Sequence, residues 1–337
     1  MDYQCVQFQQ PGDVDVLQIG SVPRKCPTDQ QVLIQVAYAG VNGPDIAQRR
    51  GLYPAPKGAS SILGLEVSGT VVAVGDKVSL WQVGQQVCAL VPGGGYAEYV
   101  LTHAEHCLPI PQGLTLQQAA CLPETFFTVW GNLFMRAKLV ADETVLIHGG
   151  SGGIGSSAIV LAKALGAKVI VTARGDDKCA HCERLGADHV INSEQACFVD
   201  AVMLATQGNG VDVVLDMVGG DYINRNLKCL SVEGRMMSIA MQQAPKANVD
   251  IFRLMAKRIS WSGSTLRPQS DDAKAEIAQS LQRSVWPLFA KNSQLTPVIF
   301  AEFSLADCAQ AHQILEAGSH CGKVVLKVGM EHPAVDS

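Results

Sequence analysis

The chain has 337 residues, 47% hydrophobic and 17% charged, with a net charge of −5. That length accommodates two domains with cores of their own, and without a block of Lys or Arg nothing provides an electrostatic footprint for nucleic acid. The start, Met1-Asp2-Tyr3-Gln4-Cys5, has neither a basic nor an apolar leader region, and no run reaches the roughly 18 apolar residues that a bilayer demands, so a cytoplasmic protein without a membrane span is expected.

Residues 1 to about 120 read as short strands separated by turn residues, as at 31–37, 66–74 and 86–91, which predicts an antiparallel, barrel-like β domain. From about 123 to 265 strand and helix alternate, with strands at 145–147, 168–172, 188–191, 212–215 and 235–239. This is the pattern of a doubly wound parallel sheet. The last stretch reads as a long helix over 272–290, a strand near Val298, a helix over 305–316 and a closing strand at 323–328. It is expected to return to the first domain. The fold class is therefore α/β, with one domain from 1–122 and 266–337 and a second from 123–265.

The segment 144–174 carries the clearest chemistry. A short apolar strand runs directly into Gly149-Gly150-Ser151-Gly152-Gly153-Ile154-Gly155, in which Gly150, Gly152 and Gly155 satisfy G-x-G-x-x-G. Glycine at such positions permits the tight turn, the approach of a pyrophosphate to the backbone and the packing of the next helix. Ile154, Ala158, Leu161, Ala162 and Leu165 then recur at helical spacing, and the free N–H groups of that helix face the turn as an anion site. A dinucleotide is expected here, held through Gly150, Ser151, Gly152, Gly153, Ile154 and Gly155.

The second strand ends in Thr172-Ala173-Arg174, with Lys178 beyond, and no carboxylate stands at its tip. Cations there suit a 2′-phosphate, so the expected cofactor is NADPH. Asp176 and Asp177 lie close by and read as the acidic first turn of the next helix. Val218, Gly219 and Gly220, and then Ile239, Ala240 and Met241, follow later strands at the ends where open sheets bind ligands. Lys323 either reaches a cofactor phosphate or ends a loop.

Eleven cysteines, an odd number in a chain of this size, read as reduced thiols. Cys179-Ala180-His181-Cys182 has half the spacing of a zinc site but no second C-x-x-C partner, and no metal is expected.

Several separated motifs resemble those of the medium-chain dehydrogenase/reductase superfamily, in its zinc-independent, zeta-crystallin-like quinone oxidoreductase branch. They are Val41-Asn42-Gly43-Pro44-Asp45, Arg50-Gly51-Leu52-Tyr53-Pro54, Gly64-Leu65-Glu66-Val67-Ser68-Gly69, Gly93-Gly94-Gly95-Tyr96-Ala97-Glu98-Tyr99-Val100, the glycine turn, Gly263-Ser264-Thr265-Leu266-Arg267 and His320-Cys321-Gly322-Lys323. The resemblance implies a GroES-like β-barrel catalytic domain built from both chain ends, an inserted Rossmann domain, an active site in the cleft and a homodimer. Zinc members of the superfamily have cysteine where this chain has Asn42, histidine at Leu65 and a further cysteine near Glu124. Neither Asn42 nor Leu65 offers the thiolate or imidazole that zinc prefers.

Without a Lewis acid, the expected reaction is hydride transfer from NADPH to a quinone or another α,β-unsaturated carbonyl, whose product anion is delocalised. Tyr53 and Asn42 are the expected catalytic residues, the first as a proton or hydrogen-bond donor, the second as an amide that orients a carbonyl. Thr128 matches a family residue near the nicotinamide, and Ser193 replaces a tyrosine that some members place beside the adenosine phosphate. An enoyl thioester reductase with Tyr53 as proton donor is the alternative chemistry. An NADPH-binding structural or regulatory protein with little turnover is the alternative of another class.

Overall fold

The computed structural model describes residues 2–329; residue 1 and residues 330–337, at the two ends of the expected first domain, lie outside the described residues. The chain forms two compact units, one running up to Phe127 and resuming at Arg267, the other Thr128–Leu266.

The first unit is organised around the strand Gln31–Val41, an almost continuous apolar run buried along most of its length. Its first half pairs antiparallel with Tyr99–His103, its second half pairs antiparallel with Lys323–Lys327, and Glu66–Val74 covers its other edge. Gln86–Leu90 and Cys107–Pro109 extend the sheet beyond Glu66–Val74, and Ile299–Ser304 extends it beyond Lys323–Lys327. This last pair is parallel, and the helix Cys308–Ala317 lies between its two strands in sequence. Val32, Ile34, Val36, Val67, Val71, Val87, Ala311, Val324 and Leu326 share one core.

Three features of this unit depart from the sequence pattern. A helix at Gly43–Arg49 interrupts the expected run of strands, beginning with Asn42 at the N-cap and Pro44 in the first turn, where its missing N–H costs nothing. The helix expected over 272–290 is divided into Asp271–Ser284 and Trp286–Phe289, because Pro287 cannot donate to the preceding turn. The helix expected from Leu305 starts as a 3₁₀ turn, Leu305–Asp307, before Cys308–Ala317.

The second unit contains six parallel strands in the order His189–Asn192, Lys168–Ala173, Thr144–His148, Val211–Asp216, Leu230–Ser238, Ser260–Gly263. Taken in chain sequence, that is 3-2-1-4-5-6, the doubly wound dinucleotide-binding order. The reversal falls between Thr144–His148 and Val211–Asp216, so the turns after these two strands lie side by side. The sixth strand has no counterpart in the sequence reading. All four of its residues are exposed, so no alternation of apolar and polar side chains announces it. Trp130–Arg136 adopts a π-helical turn in which Ala137 N donates to Asn132 O at 2.9 Å. Among the described residues no helix is long and apolar enough to cross a membrane.

Candidate active site

In the second unit, the glycines of the turn after Thr144–His148 have three separate tasks. A Cβ on Gly150 would overlap the side chain of Val171, and one on Gly155 would overlap the carbonyl of Gly149, so both are required by packing. A Cβ on Gly152 would meet nothing nearer than Gly149 O at 3.8 Å. Its missing side chain leaves open space beside the backbone. Gly152 is also the N-cap of the helix Gly153–Ala164, whose first turn includes Ile154 and Gly155. Ser151 is buried within the turn. An open backbone face at a helix N-terminus fits a pyrophosphate.

The neighbouring strand ends complete this half. Arg174 is exposed after Lys168–Ala173, and Lys178 is half-buried in the helix Asp176–Arg184. Ser193 lies beside them, its N–H and hydroxyl both donating to Ala173 O at 2.9 and 3.1 Å. Asp176 is turned aside: its Oδ1 accepts from Asn192 Nδ2 at 2.9 Å and Gln195 Nε2 at 3.3 Å. The carboxylate nearest the strand tip in sequence is thus engaged by its own loop.

Val218 and Gly219 donate their N–H groups to the buried carboxylate of Asp216, and Gly219 adopts φ 71°. Ile239 N bonds back to Asp216 O at 2.9 Å, with Ala240 and Met241 exposed beyond it. Thr128 is half-buried, and its carbonyl accepts from Asn132 Nδ2 at 2.8 Å.

In the first unit, strand register creates a buried polar centre. Val324 is paired with Val41, which places Lys323 beside Asn42, and Val67 is paired with Ala39, which places Glu66 beside Gly40. Lys323 Nζ stands 2.6 Å from Asn42 Oδ1 and 2.6 Å from Glu66 Oε1. Asn42 Nδ2 donates to the same Glu66 oxygen at 2.8 Å, while Glu66 Oε2 accepts Glu124 N at 2.8 Å. Asp45 accepts the backbone N–H of Asn42 and that of Gly64, each at 2.9 Å. Asn42 is therefore held at both backbone and side chain.

The electrostatics follow from burial. Burial works against the charge of Lys323, but the Glu66 carboxylate, together with Cys121 and Glu124, holds the ammonium above its usual range. Burial pushes Asp45 up to about 6, against the donors that favour its charge. Burial, reinforced by Glu66 and Asp45, pushes Glu124 up to about 8, so this carboxyl keeps its proton at neutral pH.

Tyr53 is half-buried in the turn after the helix Gly43–Arg49. The guanidinium carbon of Arg267 lies 5.9 Å from the centre of its ring. Arg267 is itself fixed by Pro92 O at 3.0 Å and Gln48 Oε1 at 2.6 Å. Burial raises the Tyr53 phenol, with Glu124 adding to the effect and Arg267 opposing it.

Lys323, expected as a phosphate ligand or a loop end, has its ammonium engaged by Asn42 and Glu66 in the interior of the first unit. Asn42 thus faces a cation, and Leu65 is a buried apolar side chain. Among the described residues no three His, Cys, Asp or Glu side chains are grouped to hold a metal ion. The sequence motifs include Asp45 and Glu66 and border Glu124, but they assign none of the three a role in the site. The available signal is an acid embedded in an apolar strand, Leu65-Glu66-Val67, since a buried charge requires a partner.

Comparison with known proteins gives a consistent picture. Residues 28–112 match the family model of the alcohol dehydrogenase GroES-like domain, and residues 153–283 match that of the zinc-binding dehydrogenase. The quinone oxidoreductase of Mus musculus is 32% identical over 320 residues, covering 94% of this chain and 95% of that protein. A phenolphthiocerol/phthiocerol polyketide synthase of Mycobacterium tuberculosis is 33% identical over 333 residues, 98% of this chain; the chain spans 15% of that synthase's length. Among solved structures, the JamJ enoyl reductase in its apo form superposes with a TM-score of 0.86 at 28% identity, covering 97% of this chain and 99% of that one. The Escherichia coli quinone oxidoreductase complexed with NADPH superposes with a TM-score of 0.85 at 28% identity, covering 96% and 99%.

Proposed function

Because the chain belongs to the zinc-independent quinone oxidoreductase branch of the medium-chain dehydrogenase/reductase superfamily, we propose that it is an NADPH-dependent reductase of quinones and related α,β-unsaturated carbonyls. The observation that carries this reading is the ammonium of Lys323, 2.6 Å from Asn42 Oδ1. A site whose polar centre already holds a cation repels a divalent metal, so a carbonyl reduced there has hydrogen-bond donors and not a Lewis acid to stabilise its product anion. Conjugated acceptors, which delocalise that charge, need no more.

Bound NADPH supplies the hydride. The chain's part is binding, orientation and the proton. The open face of Gly152 and the N–H groups that begin Gly153–Ala164 receive the pyrophosphate. Arg174, exposed at the strand tip, receives the 2′-phosphate, with Lys178 as a second cation and Ser193 beside them. Val218, Gly219, Ile239, Ala240 and Met241 present backbone to the remainder of the cofactor, and Thr128 contributes near the nicotinamide. Asn42 orients the substrate carbonyl, and the Tyr53 phenol gives a hydrogen bond or a proton to the reduced product.

A second reading, enoyl thioester reduction, is favoured by the phenol of Tyr53, held in its acid form well above neutral pH. It also draws on the enoyl reductase among the similar structures. The decisive assay follows NADPH oxidation with an ortho-quinone and with crotonyl-CoA, before and after Tyr53→Phe. Loss of crotonyl-CoA turnover with quinone turnover retained assigns Tyr53 as proton donor to the enoyl reaction. No acceleration with either acceptor overturns both readings.

The proposal extends to a cytoplasmic homodimer. None of the eleven cysteines forms a disulfide, which suits a reducing compartment. The exposed edge strand Ser260–Gly263, with Trp261 39% exposed, leaves an edge for a second copy.

A further inference from the structure

We propose that Glu66 and Lys323 are positioning residues that lock the side-chain amide of Asn42 in one orientation, leaving its second Nδ2 hydrogen as the donor to a substrate carbonyl oxygen. The inference rests on the carbonyl-reducing reading above, to which it adds the device that sets the amide.

The orientation follows from what each partner can offer. An ammonium has only hydrogens to give, so the Asn42 atom 2.6 Å from Lys323 Nζ is the oxygen Oδ1. A carboxylate has only lone pairs, so the atom 2.8 Å from Glu66 Oε1 is the nitrogen Nδ2. Rotating the amide by half a turn would set Nδ2 against the ammonium and Oδ1 against the carboxylate. Both contacts would become repulsive. Lys323 and Glu66 are joined to each other at 2.6 Å as well, so the three groups close a ring. Glu66 is further pinned by Glu124 N, and Asn42 by the bond from its backbone N–H to Asp45.

The amide has two nitrogen-bound hydrogens, and Glu66 takes one. The other is the group through which Asn42, 7% exposed, can meet a substrate oxygen. A freely turning amide would present oxygen and nitrogen alternately, and the oxygen would repel a carbonyl on which negative charge develops. A locked donor costs no reorganisation when the hydride arrives.

The test is a mutant cycle on the full-length protein. Lys323→Met and Glu66→Gln are introduced together, so that neither charge is left buried alone. This double variant, Asn42→Ala and the triple variant are compared for NADPH affinity and for kcat and KM with an ortho-quinone and crotonyl-CoA. Positioning predicts that the double variant loses about tenfold or more in kcat/KM, that the triple variant loses no more than the double, and that NADPH affinity stays within about twofold. A triple-variant loss equal to the product of the separate losses would overturn the proposal. So would weakened NADPH binding with kcat unchanged, which would return Lys323 to the cofactor. The wild-type protein provides a measurement that needs no variant: the Asn42 side-chain amide hydrogen bonded to Glu66 should exchange slowly with solvent. Rapid exchange would overturn the lock. A wild-type protein that turned over neither acceptor would overturn the carbonyl reading alone, and the lock would stand or fall on this exchange.

Discussion

Gly40 lacks a side chain where the carboxylate of Glu66 needs the room: a Cβ on Gly40 would overlap Oε1 and the carbon that bears it. The strand Gln31–Val41 is thus cut away opposite the acid on Glu66–Val74 that it pairs beside. Gly40→Ala should force Glu66 from Lys323 and Asn42 and destabilise the protein by about 1–3 kcal/mol, the usual cost of overpacking. Urea unfolding of the variant measures the loss; an unchanged midpoint would show that the carboxylate has freedom the geometry denies it.

The glycine turn offers a sharper separation of stability from binding. Gly152→Ala places its methyl group in open space, with Gly149 O at 3.8 Å as its nearest neighbour, so the melting temperature should hardly move. NADPH affinity should fall by about tenfold or more, because the methyl occupies the face that the pyrophosphate approaches. Gly155→Ala should lower the melting temperature itself, since its Cβ would overlap the Gly149 carbonyl. Thermal unfolding and fluorescence titration on the two variants distinguish the roles, and equal behaviour of the pair would contradict them.

Cofactor choice depends on Arg174. It is exposed at the strand tip, while Asp176 is drawn away by Asn192 and Gln195. Arg174→Ala should therefore weaken NADPH by about tenfold or more and leave NADH nearly unaffected, because a charge-assisted bond to a phosphate is lost only with the phosphorylated cofactor. Parallel titrations measure this, and an equal loss with both cofactors would remove Arg174 from the 2′-phosphate site.

How far these features are readable from the sequence depends on the separation of the partners. The glycine turn, Arg174 and the strands around them lie within about thirty residues, where spacing alone sets the geometry. Lys323 is different. Its partners Asn42 and Glu66 are 281 and 257 residues away, joined only through the register of Lys323–Lys327 on Gln31–Val41. Local spacing carries no trace of such a contact, and it leaves the lysine as a phosphate ligand or a loop end. Asp176 is the local counterpart: read as the acidic first turn of the next helix, it begins Asp176–Arg184, and its side chain is turned to Asn192. Ser260–Gly263 escapes because an exposed edge strand has no apolar face to reveal its period.

Glu124 makes the pH dependence of stability a test of the buried centre. Burial raises its carboxyl from the ordinary 4.5 to about 8, with Glu66 and Asp45 adding to the effect and Lys323 and Arg267 opposing it. Between these values the folded protein holds a proton that the unfolded chain has released. Where the folded state binds more protons, stability falls as pH rises, so this group costs stability progressively from about pH 4.5 to pH 8 and the cost is constant above. Asp45 acts in the same sense up to about 6, whereas His312 and His106, lowered by burial to about 3 and about 4, act in the opposite sense below pH 6.5. Those three groups are shared by a Glu124→Gln variant and cancel in the difference. The melting temperature of the variant minus that of the wild type should therefore increase steadily from about pH 5 to pH 8 and then level. A difference that stays flat across this range would mean that Glu124 is ionised in the folded protein, and the polar centre would then carry one more negative charge than the geometry assigns to it.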